Sequence, residues 1–224
     1  MVWREQKNYL ASMKSDKNYL NIVKHYERCF DKYGDTSKGV DWPIKADANK
    51  RYAVMMELIL KDDLKEGVTI IDLGCGTAHL YEYISQAPEF KKVIYTGIDI
   101  SDKYIQACKG KYPNSKFLKI DILESGFPKV KTDYVIMNGV FTEKRELSYE
   151  EMWKYFKNMI KLVYESVRVG IAFNLMSKHV DWEREDLFHV PFDQLAQFLT
   201  REVSRDFVFR NDYGLYEYTT YLYK

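Results

Sequence analysis

The stretch TIIDLGCGTAHL at residues 69–80 constrains the fold more than any other part of the chain. An apolar run ends at Asp72, and Gly74, Cys75 and Gly76 come before a helical pattern. Glycine weakens helices and strands, so two glycines at this junction indicate a tight turn that other residues resist. Such a turn lets a ligand approach the main chain, and the free N–H groups that open the next helix favour an anion. The stretch therefore predicts a strand, a ligand-binding loop and a helix.

Short β-rich runs alternate with helical stretches from residue 67 onward, and this alternation is typical of parallel βαβ units. We therefore predict an α/β fold with a doubly wound, mostly parallel, seven-stranded sheet of the Rossmann-like kind and helices on both faces. The last two β-rich runs follow each other around Gly214 without a helix between them. The last strand should therefore be antiparallel.

The N-terminal part of the chain has a different pattern. Apolar side chains recur mostly at steps of three or four within residues 1–33, which predicts helices, and GDTSKGVDWP then interrupts the pattern. The sheet region contains no other large insertion. We therefore expect residues 1–60 to form a helical lid packed on a core domain of residues 61–224. A lid of this kind excludes water and selects substrates.

Length and composition limit the partners of the protein. The 224 residues suit one α/β domain with an appended segment, and the net charge of +1 lacks the basic excess usual in nucleic-acid-binding proteins. No apolar run approaches the roughly 18 residues of a membrane span, and the N-terminus lacks the apolar region of a signal peptide. Cys29, Cys75 and Cys108 fit neither a disulfide framework nor a zinc site. We therefore expect a cytoplasmic protein with reduced thiols, no metal, no membrane and no nucleic-acid partner.

Small or polar residues end the next three predicted strands, and the carboxyl ends of parallel strands meet at one edge of a sheet. Asp99 ends the second strand, where a carboxylate can accept hydrogen bonds from both hydroxyls of a ribose. Asp121 follows the third strand and can accept from an adenine amino group. Ile100 and Ile122 would lie against the base. After the fourth strand, Asn138-Gly139 again brings the backbone close to the ligand. The edge predicts a site for a nucleoside with a short anionic tail and no pyrophosphate.

A nicotinamide-dependent oxidoreductase is an alternative that starts from the same strand–loop–helix unit. Its fingerprint, G-x-G-x-x-G, requires a third glycine at the position that His79 occupies. The broken fingerprint disfavours a dinucleotide.

The segments IIDLGCGTAHL, YTGIDIS, FLKIDIL and DYVIMNGVF resemble, in order and spacing, the class I S-adenosylmethionine-dependent methyltransferases. The resemblance covers roughly residues 67–176 and implies S-adenosylmethionine as the cofactor. It implies that the glycine loop holds the methionine end, that Asp99 binds the ribose and that Asp121 lies near the adenine. YGDTSKGVDW, Arg51-Tyr52 and GIAFNL are similar to a bacterial subgroup of small methyltransferases. The expected cofactor-binding residues are Arg51, Asp72, Gly74, Cys75, Gly76, Asp99, Ile100, Asp121, Ile122, Asn138 and Gly139.

Methyl transfer from a sulfonium is an in-line displacement in which the protein aligns the reactants and excludes water. Aromatic faces can hold the sulfonium, and Tyr33, Trp42 and Phe141 are candidates that suit core packing equally well. A hydroxyl acceptor needs a general base, whereas a carboxylate acceptor does not. Two histidines at or after the fifth strand suit a general base or a solvated loop, and an amide at the strand end would orient the acceptor: His179, His189 and Asn174. Asp181 and Asp186 are equally possible substrate contacts.

A motif that the chain lacks narrows the acceptor class. Enzymes that methylate exocyclic amines of nucleic-acid bases tend to carry Asn/Asp-Pro-Pro-Tyr/Phe after strand four, whereas NGVF keeps only Asn138 and Phe141 of that motif. No basic stripe interleaved with aromatic residues is evident either. We therefore predict methyl transfer to a small molecule or a glycan. The alternative is a methyltransferase-like subunit that binds the cofactor or serves as a scaffold without catalysis.

Overall fold

The computed structural model describes residues 17–42 and 44–224, and the part of the predicted N-terminal helical stretch before residue 17 lies outside them. The described chain begins with three helices, α1 (Leu20–Tyr33), α2 (Lys45–Met56) and α3 (Lys61–Glu66). Among the helices described, none combines the length and hydropathy that crossing a membrane requires.

Strands and helices then alternate along the chain. A single 3₁₀ turn at Pro88–Phe90 precedes the second strand. The elements in chain order are β1 (Val68–Leu73), α4 (His79–Gln86), β2 (Val93–Asp99), α5 (Asp102–Lys111), β3 (Lys116–Lys119), α6 (Ile122–Ser125), β4 (Tyr134–Met137), α7 (Tyr149–Ser166), β5 (Gly170–Ser177), β6 (His189–Val190), α8 (Phe192–Glu202), β7 (Phe207–Arg210) and β8 (Glu217–Tyr223).

The strands form one sheet in the order β3-β2-β1-β4-β5-β8-β7. Strands β1 to β5 run parallel to one another, and β8 runs antiparallel to both β5 and β7. The predicted doubly wound, mostly parallel sheet with an antiparallel last strand is therefore confirmed. One strand was not predicted: the short β6 pairs with the end of β5, where His189 lies beside Met176.

The apolar core lies on both faces of the sheet. In β1, Ile71 and Leu73 belong to one cluster of buried side chains, whereas Val68 and Ile70 belong to a second. Because successive side chains of a strand point to opposite faces, the two clusters lie on opposite sides of the sheet. The first contains buried residues of α7 and α8, and the second contains residues of α2, α4 and α5. Helices therefore cover both faces, as predicted.

Helix α7 shows how the sequence sets the boundary of an element. The Ser148 side chain accepts a hydrogen bond from the Glu151 backbone N–H, and the Glu151 carboxylate accepts one from the Ser148 backbone N–H. This capping box satisfies two of the donors that a helix N-terminus leaves free. It fixes where the β4–α7 loop ends, and that loop starts at the carboxyl edge of the sheet.

Candidate functional site

A pocket lies at the carboxyl edge of β1, β2, β3 and β4, with an empty volume of about 1140 Å³ that is partly open to solvent. Helix α1 and the residues next to it complete its wall. The lining residues from the strand ends are Asp72–Thr77, Asp99–Ile100, Ile120–Ile122 and Asn138–Val140. Those from the N-terminal side are Tyr19, Ile22, Val23, Tyr26, Val40, Trp42 and Tyr52. The parallel sheet thus brings most of the residues predicted at the strand ends to one place.

The glycine loop after β1 adopts a backbone that requires glycine. Gly74 and Gly76 have φ angles of +78° and +52°, in the left-handed region. A Cβ atom on Gly74 would lie 2.6 Å from the Cγ2 atom of Val140, so a larger residue does not fit without a shift. The Ile98 carbonyl oxygen accepts hydrogen bonds from the backbone N–H groups of Gly74 at 2.7 Å and Cys75 at 3.1 Å. The loop is therefore fixed to β2 along the wall of the pocket.

The carboxylate of Asp99 links the glycine loop to the end of β2. Its Oδ2 atom accepts a hydrogen bond from the Gly76 backbone N–H at 3.0 Å, and its Oδ1 atom accepts one from the Ser101 backbone N–H at 2.8 Å. Burial raises the pKa of Asp99 to about 6, although these backbone donors oppose the rise. Each carboxylate oxygen has two lone pairs, so both can accept a further hydrogen bond from a ligand.

Asp72 is a second buried carboxyl group beside the loop. Its side chain accepts a hydrogen bond from the Tyr95 hydroxyl at 2.7 Å. Burial raises the pKa of Asp72 to about 7, the Tyr95 hydrogen bond opposes the rise, and the Asp99 carboxylate adds to it. Two carboxyl groups with raised pKa values in one pocket are typical of a functional site.

Asp121 joins the end of β3 to the N-terminal side of the pocket. Its Oδ1 atom accepts a hydrogen bond from the Leu123 backbone N–H at 3.0 Å, and its Oδ2 atom accepts one from the Tyr19 hydroxyl at 2.6 Å. Ile100 and Ile122 line the pocket near this carboxylate. An apolar surface next to a hydrogen-bond acceptor is the environment predicted for an adenine ring.

Polar contacts also hold α1 and the segment after it against α4 and α5. Glu27 accepts a hydrogen bond from the Ser101 hydroxyl at 2.6 Å. The Asp35 carboxylate lies 2.9 Å from the Nε2 atom of His79 and 2.7 Å from the Nζ atom of Lys111. His79 also lines the pocket, although the sequence singled it out only because it replaces a glycine.

A chain of polar side chains supports the pocket from β5 and β8. The Asn174 Oδ1 atom accepts a hydrogen bond from the Gly139 backbone N–H at 2.8 Å, and its Nδ2 atom donates to Glu217 at 2.9 Å. The Arg51 Nε–H donates to Glu217 at 2.9 Å, and the Arg51 guanidinium lies 4.8 Å from the centre of the Trp42 ring. Arg51 and Asn174 thus contact pocket-lining residues without belonging to the described lining.

The loop after β4 has two features that favour a ligand. Gly139 has a φ of +78°, and a Cβ atom there would lie 2.7 Å from the Cζ2 atom of Trp42. The Oδ1 atom of Asn138 is buried and has no hydrogen-bond partner among the described residues. A buried acceptor without a partner costs stability, so this atom indicates a donor that the pocket is built to receive.

Three predicted residues lie in other surroundings, outside the described lining. Phe141 is fully buried and packs edge-on against Phe156, and Tyr33 is 42% exposed at the end of α1. The His179 ring stacks on Phe192 with ring centres 5.5 Å apart. Phe141 therefore belongs to the core, Tyr33 lies at the surface, and His179 packs against α8.

His189 and Asp181 also lie outside the described lining. The Nδ1 atom of His189 lies 2.6 Å from the Ser177 carbonyl oxygen, and its Nε2 atom accepts a hydrogen bond from the Arg184 backbone N–H at 3.3 Å. A carbonyl oxygen only accepts, so Nδ1 carries the proton and both ring nitrogens are engaged by the main chain. Asp181 accepts a hydrogen bond from the Tyr216 hydroxyl at 2.8 Å.

Sequence analysis missed several aromatic residues of the pocket: Tyr19, Tyr26, Tyr52 and Tyr155. Tyr19 and Tyr26 are seven residues apart, and that helical spacing predicts one shared face. The spacing does not reveal which part of the protein that face packs against, so the sequence alone could not place these tyrosines in the pocket.

Comparison with known proteins identifies the class. A family described as a methyltransferase domain matches residues 64–197, more than half of the chain, and the chain belongs to this family. The Mycobacterium tuberculosis protein named "Putative methyltransferase Rv1506c" is 28% identical over 153 residues, which cover 67% of this chain and 90% of that protein.

Solved structures support the same class through their fold. The magnesium protoporphyrin IX methyltransferase ChlM of Synechocystis PCC 6803, with bound S-adenosylmethionine, has a TM-score of 0.62 at 15% identity and covers 94% of this chain and 99% of its own. The plantazolicin methyltransferase BamL, solved with S-adenosylhomocysteine, has a TM-score of 0.59 at 14% identity and covers 92% of this chain and 81% of its own. The predicted class, a class I S-adenosylmethionine-dependent methyltransferase, is therefore confirmed.

Proposed function

We propose that this enzyme methylates a small molecule or a glycan, and that cofactor and acceptor meet in the pocket between α1 and the sheet edge. S-adenosylmethionine supplies the methyl group on a sulfonium, which the acceptor attacks in line. The protein must therefore align the reactants and exclude water. The described residues are suited to both tasks.

The strand-end loops fit the cofactor. Gly74 exposes main chain where a Cβ atom would collide with Val140, so the loop from Gly74 to Gly76 would hold the methionine end, with Asp72 beside it. Asp99 keeps free lone pairs for the ribose hydroxyls. Asp121 would accept from the adenine amino group, with Ile100 and Ile122 against the ring and Asn138-Gly139 at the opposite loop. The unpartnered Asn138 Oδ1 atom supports a bound donor at this position.

Arg51 and Asn174 would contribute through residues that they hold in place. Arg51 packs on the Trp42 ring and Asn174 receives the Gly139 N–H. Both side chains bind Glu217, so the three form one support behind the pocket. We propose positioning roles for Arg51 and Asn174, in place of direct contact with cofactor or acceptor.

The character of the pocket wall carries the proposal for the acceptor. Aromatic and aliphatic side chains dominate the N-terminal side, and the described lining contains no lysine or arginine. Nucleic-acid binding relies on such cations to neutralise phosphates, so this wall favours a small or chain-end acceptor. The two solved neighbours are named for magnesium protoporphyrin IX and plantazolicin, which are also small compared with a nucleic acid.

The need for a base depends on the acceptor atom. A carboxylate needs none, whereas a hydroxyl group must lose its proton. Among the described lining residues, His79 carries the one imidazole. For His179 or His189 to serve as base, residues 178–190 would have to move towards the pocket.

Transfer of labelled methyl groups tests the acceptor class. The enzyme and S-adenosylmethionine are incubated with separate pools of small metabolites, glycans, RNA, DNA and protein, and S-adenosylhomocysteine release is measured, with Asp99→Ala as control. We expect release only with the small-molecule or glycan pool, at a rate that nuclease does not change. Label in RNA or DNA would contradict the proposal. Cofactor binding without turnover in any pool would favour a non-catalytic subunit.

A further inference from the structure

A second cluster of reactive side chains lies beside the pocket and has no part in the proposed methyl transfer. His25 and Cys29 lie one turn apart on α1, Asp41 lies in the segment after α1, and Glu143 lies in the β4–α7 loop. The ligand atoms of His25, Cys29 and Asp41 all lie within 4.8 Å of one another. Sequence analysis predicted no metal because the cysteines are scattered, and these four residues come together only in the fold.

We propose that His25, Cys29, Asp41 and Glu143 form a binding site for a divalent transition-metal ion of the zinc type. An imidazole, a thiolate and two carboxylates are ligands that zinc accepts in a four-coordinate tetrahedral site. The combination of sulfur and nitrogen favours zinc over magnesium or calcium, which prefer oxygen ligands.

The separations measured from His25 are close to those around such an ion, whereas Glu143 lies outside the group of three whose ligand atoms are all within 4.8 Å of one another, so its carboxylate would also have to move to complete the site. The His25 Nε2 atom lies 3.6 Å from the Cys29 Sγ atom, 3.7 Å from a Glu143 carboxylate oxygen and 2.8 Å from the Asp41 Oδ2 atom. Zinc bonds of about 2.0–2.3 Å at tetrahedral angles separate nitrogen and sulfur by about 3.5 Å, and nitrogen and oxygen by about 3.4 Å. Two separations therefore fit within a few tenths of an ångström, and Asp41 needs to move outwards by roughly half an ångström.

The charges of the surroundings also suit a cation. Glu143 is buried, and Asp41 faces it as a second carboxyl group. Arg145 donates to the Glu143 carboxylate at 3.3 Å, but its Nε atom is buried without a partner among the described residues. A thiolate and two carboxylates carry three negative charges, of which a divalent ion would neutralise two, while the Arg145 guanidinium is shared between Glu143 and the Asp186 carboxylate at 3.0 Å.

The site would join three segments that line the pocket. Tyr26 follows His25 on α1, Val40 and Trp42 flank Asp41, and the loop that carries Glu143 begins at Asn138. A metal bound here would fix these segments relative to one another. The proposed ion therefore has a structural task, as in zinc sites in which the protein supplies all four ligands.

Cobalt spectroscopy tests the site on the full chain. Protein freed of metal by a chelator is titrated with Co²⁺, and the sulfur-to-cobalt charge-transfer band is followed; zinc affinity is then measured by calorimetry. We expect one Co²⁺ per chain with a thiolate band, and Zn²⁺ should displace it. Outer-shell partners of metal sites contribute about 10–100-fold to affinity, so His25→Gln should lower zinc affinity by about 100-fold or more.

Matched variants locate the ligands. Cys29→Ser should abolish the thiolate band, whereas its control Cys108→Ser should keep it. His25→Gln should lower zinc affinity, whereas its control His79→Gln should leave zinc affinity unchanged. If Cys29→Ser lacks a native circular dichroism spectrum, Glu143→Gln, which keeps its shape, should still lower zinc affinity at least about tenfold. Absence of a band in the unaltered protein, or a band that survives Cys29→Ser, would overturn the proposal.

Discussion

Replacing Asp99 by alanine is the most direct test of the proposed cofactor site. The carboxylate accepts hydrogen bonds from the Gly76 and Ser101 backbone N–H groups at 3.0 and 2.8 Å, which leaves two lone pairs for the ribose hydroxyls. Asp99→Ala should therefore affect two quantities. One is the free energy of cofactor binding, and the other is the stability of the glycine loop.

The size of each effect follows from the hydrogen bonds that are lost. Hydrogen bonds to a charged acceptor contribute about 1.5–3 kcal/mol, so affinity for S-adenosylhomocysteine should fall about 10- to 100-fold. The backbone donors of Gly76 and Ser101 also lose their acceptor, which should cost about 1–3 kcal/mol of unfolding free energy. The affinity must therefore be measured well below the melting temperature of the variant.

Isothermal calorimetry gives the affinity, and thermal unfolding of the free enzyme gives the stability. Asp102→Ala is a matched control, because Asp102 is a nearby acid whose side chain is 59% exposed and 3.7 Å from Lys119. The control should bind S-adenosylhomocysteine as the unaltered enzyme does. If Asp99→Ala binds with the same affinity as the control and loses only stability, the ribose assignment is wrong.

Acidification should weaken binding of S-adenosylhomocysteine in calorimetry, because burial raises the pKa values of Asp72 to about 7 and Asp99 to about 6, and protonation removes acceptors. The free enzyme should lose unfolding free energy as the pH rises from 3.8 through these values, since its folded state holds the two protons more tightly than the unfolded chain. Gly139→Ala should lower both the melting temperature and the affinity for the cofactor, because the added Cβ atom would collide with Trp42. Its control is Gly214→Ala, where φ is similar but the surrounding space is open: the unfolding free energy in urea should fall by about 1–2 kcal/mol and cofactor affinity should not change. Ser148→Ala removes a helix cap and should cost about 0.5–2 kcal/mol in urea unfolding without changing cofactor affinity.

The sheet could be predicted from sequence because its signals are local. Alternating β-rich and helical stretches define parallel βαβ units, and the turn at Gly214 sets the last strand antiparallel. The parallel arrangement then dictates that Asp72, Asp99 and Asp121 meet at one edge, since strand ends of this kind converge. Each step needs only the residue order along the chain.

The N-terminal side of the pocket depends on long-range packing, which residue order does not reveal. Tyr19 meets Asp121 across 102 positions of sequence, and Arg51 meets Glu217 across 166. The same limit applies to His189, which we expected near the pocket because its segment follows β5. Its pairing with the end of β5 and its bond to the Ser177 carbonyl oxygen arise from a two-residue strand that has no pattern of its own.

The pocket thus combines strand-end residues with residues of the N-terminal side, and this difference bears on the choice of acceptor. The family match begins at residue 64, whereas Tyr26, Val40, Trp42 and Tyr52 line the pocket from positions before it. The matched region contains the glycine loop and the strand-end acids, which are the residues that we propose to hold the cofactor. Acceptors differ among enzymes that share this cofactor, so we expect the residues that discriminate between acceptors to lie in the wall outside the match. Substitutions there should change which acceptor reacts while affinity for S-adenosylhomocysteine stays close to that of the unaltered enzyme.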